Sequence, residues 1–232
     1  FLLDLSLDLK KAKYAGLACG IKNCGIGNGM SDFSEVKIQI ISPQHVVLHH
    51  GWTEMGQGVH TVATQTLCEE TGIDPQIVEV KVSTPYNARS GMTTASRGTS
   101  LVCSATIEAA KQLKEDLKTH SLDQLAGKTY FGRWSFDRST KPGAPGEVIT
   151  HYSYSYATQL AVLDQNGKVE TIIAAHDAGK IINPVLFESQ IQGSVHMGLG
   201  YALTEDLPME NGHMKSYKLR DLGILKAHET PN

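Results

Sequence analysis

Residues able to do chemistry concentrate in three short stretches. The first is Gly51-Trp-Thr-Glu-Met-Gly-Gln-Gly-Val-His-Thr-Val-Ala-Thr-Gln65. A β-type run, His45–His50, precedes it. After Gly58 the apolar spacing turns helical, with Val59, Val62, Ala63, Thr66 and Leu67 on one face. Gly56, Gln57 and Gly58 therefore sit where a strand hands over to a helix. Free N–H groups in a first helical turn, with the helix dipole behind them, form an anion site. Glycines let a ligand approach the backbone, and the Gln57 amide can donate and accept at once. Such a loop can hold a polar, phosphorylated, ring-bearing ligand. The plain alternative is a tight glycine turn with an exposed glutamine.

The second stretch, Pro85–Thr99, is rich in small, hydroxylic and arginine residues and leads into a helix at about Ser100–His120. Thr94, Ala95 and Ser96 can present backbone N–H groups and a hydroxyl, with Arg89 or Arg97 beside a phosphate. An ordinary Ser/Thr capping loop reads the same residues equally well. The third stretch is Ala175-His-Asp-Ala-Gly-Lys-Ile-Ile-Asn-Pro184. Asn183 caps a helix and Pro184 takes its first position. That helix, Val185 to about Leu203, is apolar nearly all round and belongs inside a protein. Gln190 is then a polar residue on a buried helix, needing a hydrogen-bond partner in a neighbouring loop or a ligand. Gly193, Gly198 and Gly200 suggest a neighbour packed hard on the backbone.

The elements that position these stretches follow from periodicity and turn residues. Val36–Ile41 alternates, Ser42-Pro-Gln44 turns, and His45–His50 returns as a hairpin. Gly72 ends the first helix, and Asp74-Pro75 starts a short helical turn before the strand at Val78. The helix after Thr99 turns Leu101, Ala105, Ile107, Ala109, Ala110, Leu113 and Leu117 inward. A strand spans Thr129–Phe136. Tyr152, Tyr154 and Tyr156 lie along a strand ending at Leu163, which Asp164–Gly167 folds back into Val169–Ala175. Gly25-x-Gly27-x-Gly29 is followed by a strand and not a helix, so it reads as a closely packed glycine loop and not a dinucleotide fingerprint.

At 232 residues the chain can bury one large core or two smaller ones. The opening Phe1-Leu-Leu-Asp-Leu reads as a helix already under way, and we expect a segment of a longer protein. Net charge is −3, with Lys10, Lys11 and Lys13 as the only positive cluster, which argues against nucleic acid. No apolar run reaches membrane-spanning length. Four scattered cysteines read as reduced thiols in a cytoplasmic protein. His49 and His50 point to opposite faces of a strand, so the histidines of the first half do not form a zinc site.

Together, the Gly51–Thr61 stretch, Thr93-Thr-Ala-Ser96, and Asp177–Pro184 followed by Gln190-x-x-Gly193 and Gly198-Leu-Gly200 closely resemble the xanthine dehydrogenase/aldehyde oxidase family of molybdenum hydroxylases. The match is to the C-terminal part of their molybdopterin-binding region and covers the chain from about Tyr14. The resemblance implies an α+β fold of mixed sheets and packed helices in two related halves, about 1–137 and 148–232, meeting at the 138–147 loop. It implies that Gly56, Gln57, Gly58, Thr94, Ala95, Ser96 and Gln190 touch a molybdenum–molybdopterin cofactor, either as such or as its cytosine dinucleotide. No protein side chain would ligate the metal. The implied reaction is hydroxylation of an N-heterocycle or aldehyde with oxygen from water. Electrons would leave through iron–sulfur clusters and FAD on other domains or subunits.

Two departures stand out. The family's general-base glutamate lies in a Gly-Glu motif near its C-terminus. This chain ends at Asn232 before one, and Gly146-Glu147 lies in the loop instead. The preceding half of the cofactor region is also missing, so the isolated chain should neither hold cofactor tightly nor turn over. A non-catalytic scaffold subunit that keeps the fold is the rival reading, with a zinc hydrolase a distant third.

Overall fold

The computed structural model describes residues 14–82 and 87–231. The expected opening helix, the Lys10–Lys13 cluster and the first residues of the second stretch lie outside them. The chain divides into two units. One is continuous, Lys22–Tyr154; the other joins Phe1–Ile21 to Ser155–Asn232. The seam expected at 138–147 thus falls inside the continuous unit. The 138–152 segment is tied into that unit: the Ser139 hydroxyl accepts from the Gly29 N–H and donates to the Met30 carbonyl, and the Thr140 N–H donates to the Ile149 carbonyl.

The continuous unit is built on a four-stranded mixed sheet. Its strands are β2 (Asp32–Ser42), β3 (His45–His50), β4 (Val78–Lys81) and β5 (Thr129–Phe136), in the order β4-β3-β2-β5. The β2–β3 hairpin forms as expected, with Ile38 opposite Leu48 and Val36 opposite His50. β4 lies parallel to β3, which requires a crossover. Helix α1 (Val59–Thr71) supplies it, followed by a single turn at Pro75–Ile77 that Asp74 caps by accepting from the Gln76 N–H. Gly72 ends α1 at φ 76°, a conformation that costs any residue with a Cβ.

Helix α2 (Gly98–Asp116) packs with α1 over one face of the sheet. Val36, Ile38, Ile40, Val46 and Leu48 project from that face, and Val59, Val62, Ala63 and Leu67 of α1 with Leu101, Ala105, Ala109 and Leu113 of α2 cover them. Each fully buried aliphatic side chain contributes about 1.5–3 kcal/mol. Ile107 and Leu117, expected inside, are only half-buried at the edge of this layer. The helix reaches β5 at Gly132, where a Cβ would collide with the Ala105 carbonyl oxygen. The alanines of α2 and this glycine together set how near helix and strand approach.

The second unit has a three-stranded sheet. Its strands are β1 (Tyr14–Cys24), β6 (Ser153–Leu163) and β7 (Val169–Asp177), in the order β1-β6-β7. β6 and β7 form the expected hairpin, its turn held by the Asp164 carboxylate, which accepts from the N–H groups of Asn166 and Lys168. Helix α3 (Pro184–Leu203) follows, with Asn183 accepting from the Leu186 N–H and Pro184 at its first position. A two-stranded ribbon, β8 (Met209–Glu210) and β9 (His213–Met214), comes next.

The surroundings of α3 differ from expectation. Only Leu199 and Gly200 are buried on it, while Val185, Met197 and Tyr201 are 72%, 65% and 84% exposed. Gly193 and Gly198 have nothing within 4 Å of where a Cβ would stand. An apolar helix must be covered, but the sequence does not say by what, and among the described residues little covers it. Among the described residues no helix is long and apolar enough to cross a membrane.

Candidate functional site

The Gly51–Gly58 loop leaves the carboxyl end of β3 and enters α1, as the residue pattern requires. Trp52 anchors it: the indole is fully buried and donates to the Ser34 hydroxyl at 3.0 Å. Gly51 lies against the Ala88 carbonyl, which a Cβ would meet at 2.7 Å, so the loop runs flush against the 88–90 segment. Gly56 has φ 103° with open space around it, and Gly58, at φ 80°, is the N-cap of α1.

The anion site expected at this helix start is already filled. Glu54 Oε1 accepts from the N–H groups of Gly56 (3.0 Å) and Gly58 (2.9 Å), and Oε2 accepts from that of His60 (3.1 Å). Burial alone would raise the Glu54 pKa, but the N–H groups of Gly58, His60 and Gly56 outweigh it and hold the carboxyl below its ordinary range. A second anion would meet this charge. Sequence reasoning misses Glu54, although a glutamate four residues before a glycine N-cap is the signal for it.

Gln57 is also engaged. Its Oε1 accepts from the Met55 N–H and its Nε2 donates to the Thr53 carbonyl, both at 2.7 Å. The side chain braces its own loop while keeping a second Nε2 hydrogen and a second carbonyl lone pair for a ligand.

The second loop comes alongside the first. The Thr53 N–H donates to the Thr93 hydroxyl at 3.0 Å, so Gly56–Gly58 and Thr94–Ser96 belong to one loop cluster. Ala95 and Ser96 both adopt left-handed backbone, at φ 61° and 49°, a conformation that costs of order 1 kcal/mol or more per non-glycine residue. Among the described residues neither N–H has a protein acceptor. The Ala95 carbonyl accepts from the Gly25 N–H at 3.2 Å. That brings in the third glycine loop, packed as closely as expected: a Cβ on Gly25 would stand 2.6 Å from the Asp32 carboxylate, and one on Gly27 2.6 Å from the Thr150 carbonyl.

Neither arginine of this region is free for a phosphate. Arg89 makes a two-pronged pair with Glu35 (Nε and Nη2, both 3.0 Å), which Arg133 joins at 2.9 Å. Arg97 is 1% exposed and donates to Asp32 Oδ1 at 2.8 Å and to the Met92 carbonyl at 2.6 Å, with its guanidinium 5.3 Å from the Trp52 ring centre. Arg97 is also the N-cap of α2 without a side-chain cap, so the ordinary Ser/Thr cap is not what the second stretch forms. Instead the Ser100 hydroxyl meets the Tyr152 hydroxyl at 2.5 Å; burial first, with nearby negative charge, pushes the Tyr152 pKa up to about 12.

Gln190 belongs to the other unit, exposed on α3, where its carbonyl accepts from the Ser194 hydroxyl. Among the described residues no group of three or more His, Cys, Asp or Glu side chains is placed to hold a metal ion. All four cysteines are free thiols. The site therefore offers backbone donors, an amide and fixed glycine turns, which bind rings and polar edges.

Known proteins share this fold. The chain matches the molybdopterin cofactor-binding domain over residues 8–125 and 120–231. It is 26% identical to a probable xanthine dehydrogenase subunit of Bacillus subtilis, over 94% of this chain and 34% of that protein. It is 25% identical to the carbon monoxide dehydrogenase large chain of Hydrogenophaga pseudoflava, over 91% of this chain and 31% of that one. Among solved structures, the aldehyde oxidoreductase of Desulfovibrio desulfuricans superposes with a TM-score of 0.71 at 23% identity, over 87% of this chain and 24% of that one. A copper- and molybdenum-containing carbon monoxide dehydrogenase gives 0.72 at 20% identity, over 94% and 33%. The chain thus spans about a third of the length of these curated relatives. By its glycine loops, its α+β fold and the match along both segments, the chain belongs to the molybdopterin cofactor-binding domain of the xanthine dehydrogenase/aldehyde oxidase-type molybdenum hydroxylases.

Proposed function

We propose that this chain is the cofactor-contacting segment of a molybdenum hydroxylase acting on N-heterocycles of purine type or on aldehydes, with oxygen taken from water. The observation that carries the reading is the loop cluster. The Thr53–Thr93 hydrogen bond holds the Gly56–Gly58 turn beside the left-handed Ala95 and Ser96, whose N–H groups have no acceptor among the described residues. These residues fit a pterin. Two free backbone donors and the spare half of the Gln57 amide suit its ring edge, and the open space at Gly56 lets it approach.

In this reading Gly56, Gln57, Gly58, Thr94, Ala95 and Ser96 bind and orient the cofactor, and Gln190 adds a second amide from α3. When bound, the cofactor supplies the metal's Lewis acidity and its capacity to accept electrons. The chain's own residues contribute binding and orientation. The negative Glu54 at the start of α1 directs the phosphate elsewhere, and Arg89 and Arg97 stay with their carboxylates. The remaining half of the cofactor region, the iron–sulfur clusters and FAD would come from other domains or subunits, and the dinucleotide form of the cofactor depends on that other half. The isolated chain would not turn over, and we assign the parent protein to the cytoplasm.

The test is molybdenum and pterin content of the full-length parent protein beside its Gln57→Ala and Gln190→Ala variants. We expect pterin content to fall at least about tenfold at equal folded protein, since each change removes hydrogen bonds to a buried ligand. Undiminished content in both variants would remove the two amides from the site.

A further inference from the structure

Arg97 and Asp32 are the most deeply buried charges among the described residues, 1% and 0% exposed, and a cofactor-binding role gives them no direct task. Their hydrogen bonds close a ring through three segments. Arg97 donates to Asp32; both Asp32 oxygens accept from the Ile26 N–H at 3.1 Å; the adjoining Gly25 N–H donates to the Ala95 carbonyl; and Ala95 leads back to Arg97 through Ser96. A second closure runs inside the loop, where the other arm of the guanidinium holds the Met92 carbonyl. The guanidinium also lies against Trp52, which anchors the Gly51–Gly58 loop.

A buried ion pair of this kind adds little net stability, because desolvating two charges offsets their attraction. Its effect is to fix geometry. Left-handed backbone at two successive non-glycine residues is unfavourable by itself and persists only where the surroundings impose it. Three fastenings of the 92–97 loop lead toward this pair: Met92 through the guanidinium, Ala95 through Gly25 and Asp32, and Thr93 through Thr53, next to the Trp52 ring that the guanidinium faces. Glycine at position 25, φ 110°, is what allows the carboxylate to come so near.

We propose that Arg97, paired with Asp32, is the positioning residue that imposes the left-handed Ala95–Ser96 backbone and registers it against the Gly56–Gly58 turn, so that the N–H donors for the cofactor are set before it binds. This rests on the cofactor-contacting role of the loop cluster. Lysine cannot replace the arginine fully, since an ammonium cannot reproduce a planar fork reaching Asp32 and Met92 together.

The full-length assembled parent protein is compared with its Arg97→Lys variant and with the Asp32→Asn/Arg97→Gln double variant, which leaves no buried charge unpaired. Two quantities are read at equal folded protein: pterin content, and amide hydrogen exchange of peptides containing Gly25 and Thr53, whose N–H groups report the two fastenings. In the double variant we expect exchange at both amides to quicken about tenfold or more and pterin content to fall by a similar factor, with Arg97→Lys intermediate in both. Native exchange and native pterin content in the double variant would overturn the proposal. Quicker exchange with unchanged pterin would also overturn it, while leaving the cofactor reading intact, because that reading is tested by Gln57 and Gln190. If the double variant does not fold, Arg97→Lys decides by the same two measurements.

Discussion

The two units use their helices in opposite ways. In the continuous unit, α1 and α2 are amphipathic and their apolar faces are covered by the sheet and by each other. In the other, α3 is apolar nearly all round yet mostly exposed. The first pair obeys the usual rule that packing within the unit stabilises a helix. The second breaks it, and the chain's share of its relatives' length, about a third, supplies a reason. We take α3 to be covered by the remainder of the parent protein. A unit can thus carry local capping signals as strong as Asn183-Pro184 and still depend on what surrounds it.

The sharpest test of this contrast pairs glycines. Gly132→Val forces a side chain into the Ala105 carbonyl and the Ala109 backbone, and we expect a loss of about 3 kcal/mol or more in equilibrium denaturation. Gly198→Ala meets nothing among the described residues. It should stabilise α3 by about 0.5–1 kcal/mol in the isolated chain, yet weaken assembly of the parent if another part packs there. A stabilising effect in both settings would mean that nothing covers α3 at that point.

Next comes truncation. Leu113→Ala, fully buried on α2, should cost about 2–5 kcal/mol, and Val185→Ala on α3 less than about 0.5 kcal/mol. Equal costs would erase the distinction between the units.

Acid sensitivity should likewise come from the continuous unit. Burial, then the neighbouring His60, lowers the His50 pKa to about 4 from 6.5, with Glu54 opposing. A histidine depressed in the folded state favours folding while neutral. Its contribution is therefore full above about pH 6.5 and is lost as pH falls toward 4, an effect of order 3 kcal/mol. His50→Gln should flatten stability across that window in a pH series of denaturation curves.

A smaller acid response belongs to Glu54. Its depressed carboxyl pKa stabilises the fold above the ordinary glutamate range, and that contribution disappears as pH falls through the lowered value. Glu54→Gln should cost about 1 kcal/mol at pH 7 and remove this part of the acid response.

Much of the fold was legible because the rules involved are local. The alternation of Val36–Ile41, the helical spacing after Gly58, the left-handed Gly72, the Asp164–Gly167 turn and the Asn183-Pro184 cap each act within a few residues. The glycine turns and the 93–96 loop were visible for the same reason. Three things were not. Glu54 fills the helix start from inside the very stretch that seemed to leave it open. Arg89 and Arg97 looked like phosphate ligands, because the carboxylates that occupy them, Glu35 and Asp32, are more than fifty residues away in the sequence. The division into two units was not legible either, because a proline- and glycine-rich loop marks a change of direction, whereas strand pairing decides which segments fold together.

The pairing of β1 with β6 bears on how the nascent protein is made. Tyr14–Ile21 leaves the ribosome before the continuous unit, but its neighbour in the sheet, from Ser155 onward, is synthesised only after that unit is complete. Until then the early strand has a bare edge carrying Tyr14, Leu17 and Ile21, a condition that invites mispairing with other chains. Synthesis past Ser155 therefore governs when β1 is paired, and a pause or truncation just before Ser155 should send the product toward aggregates.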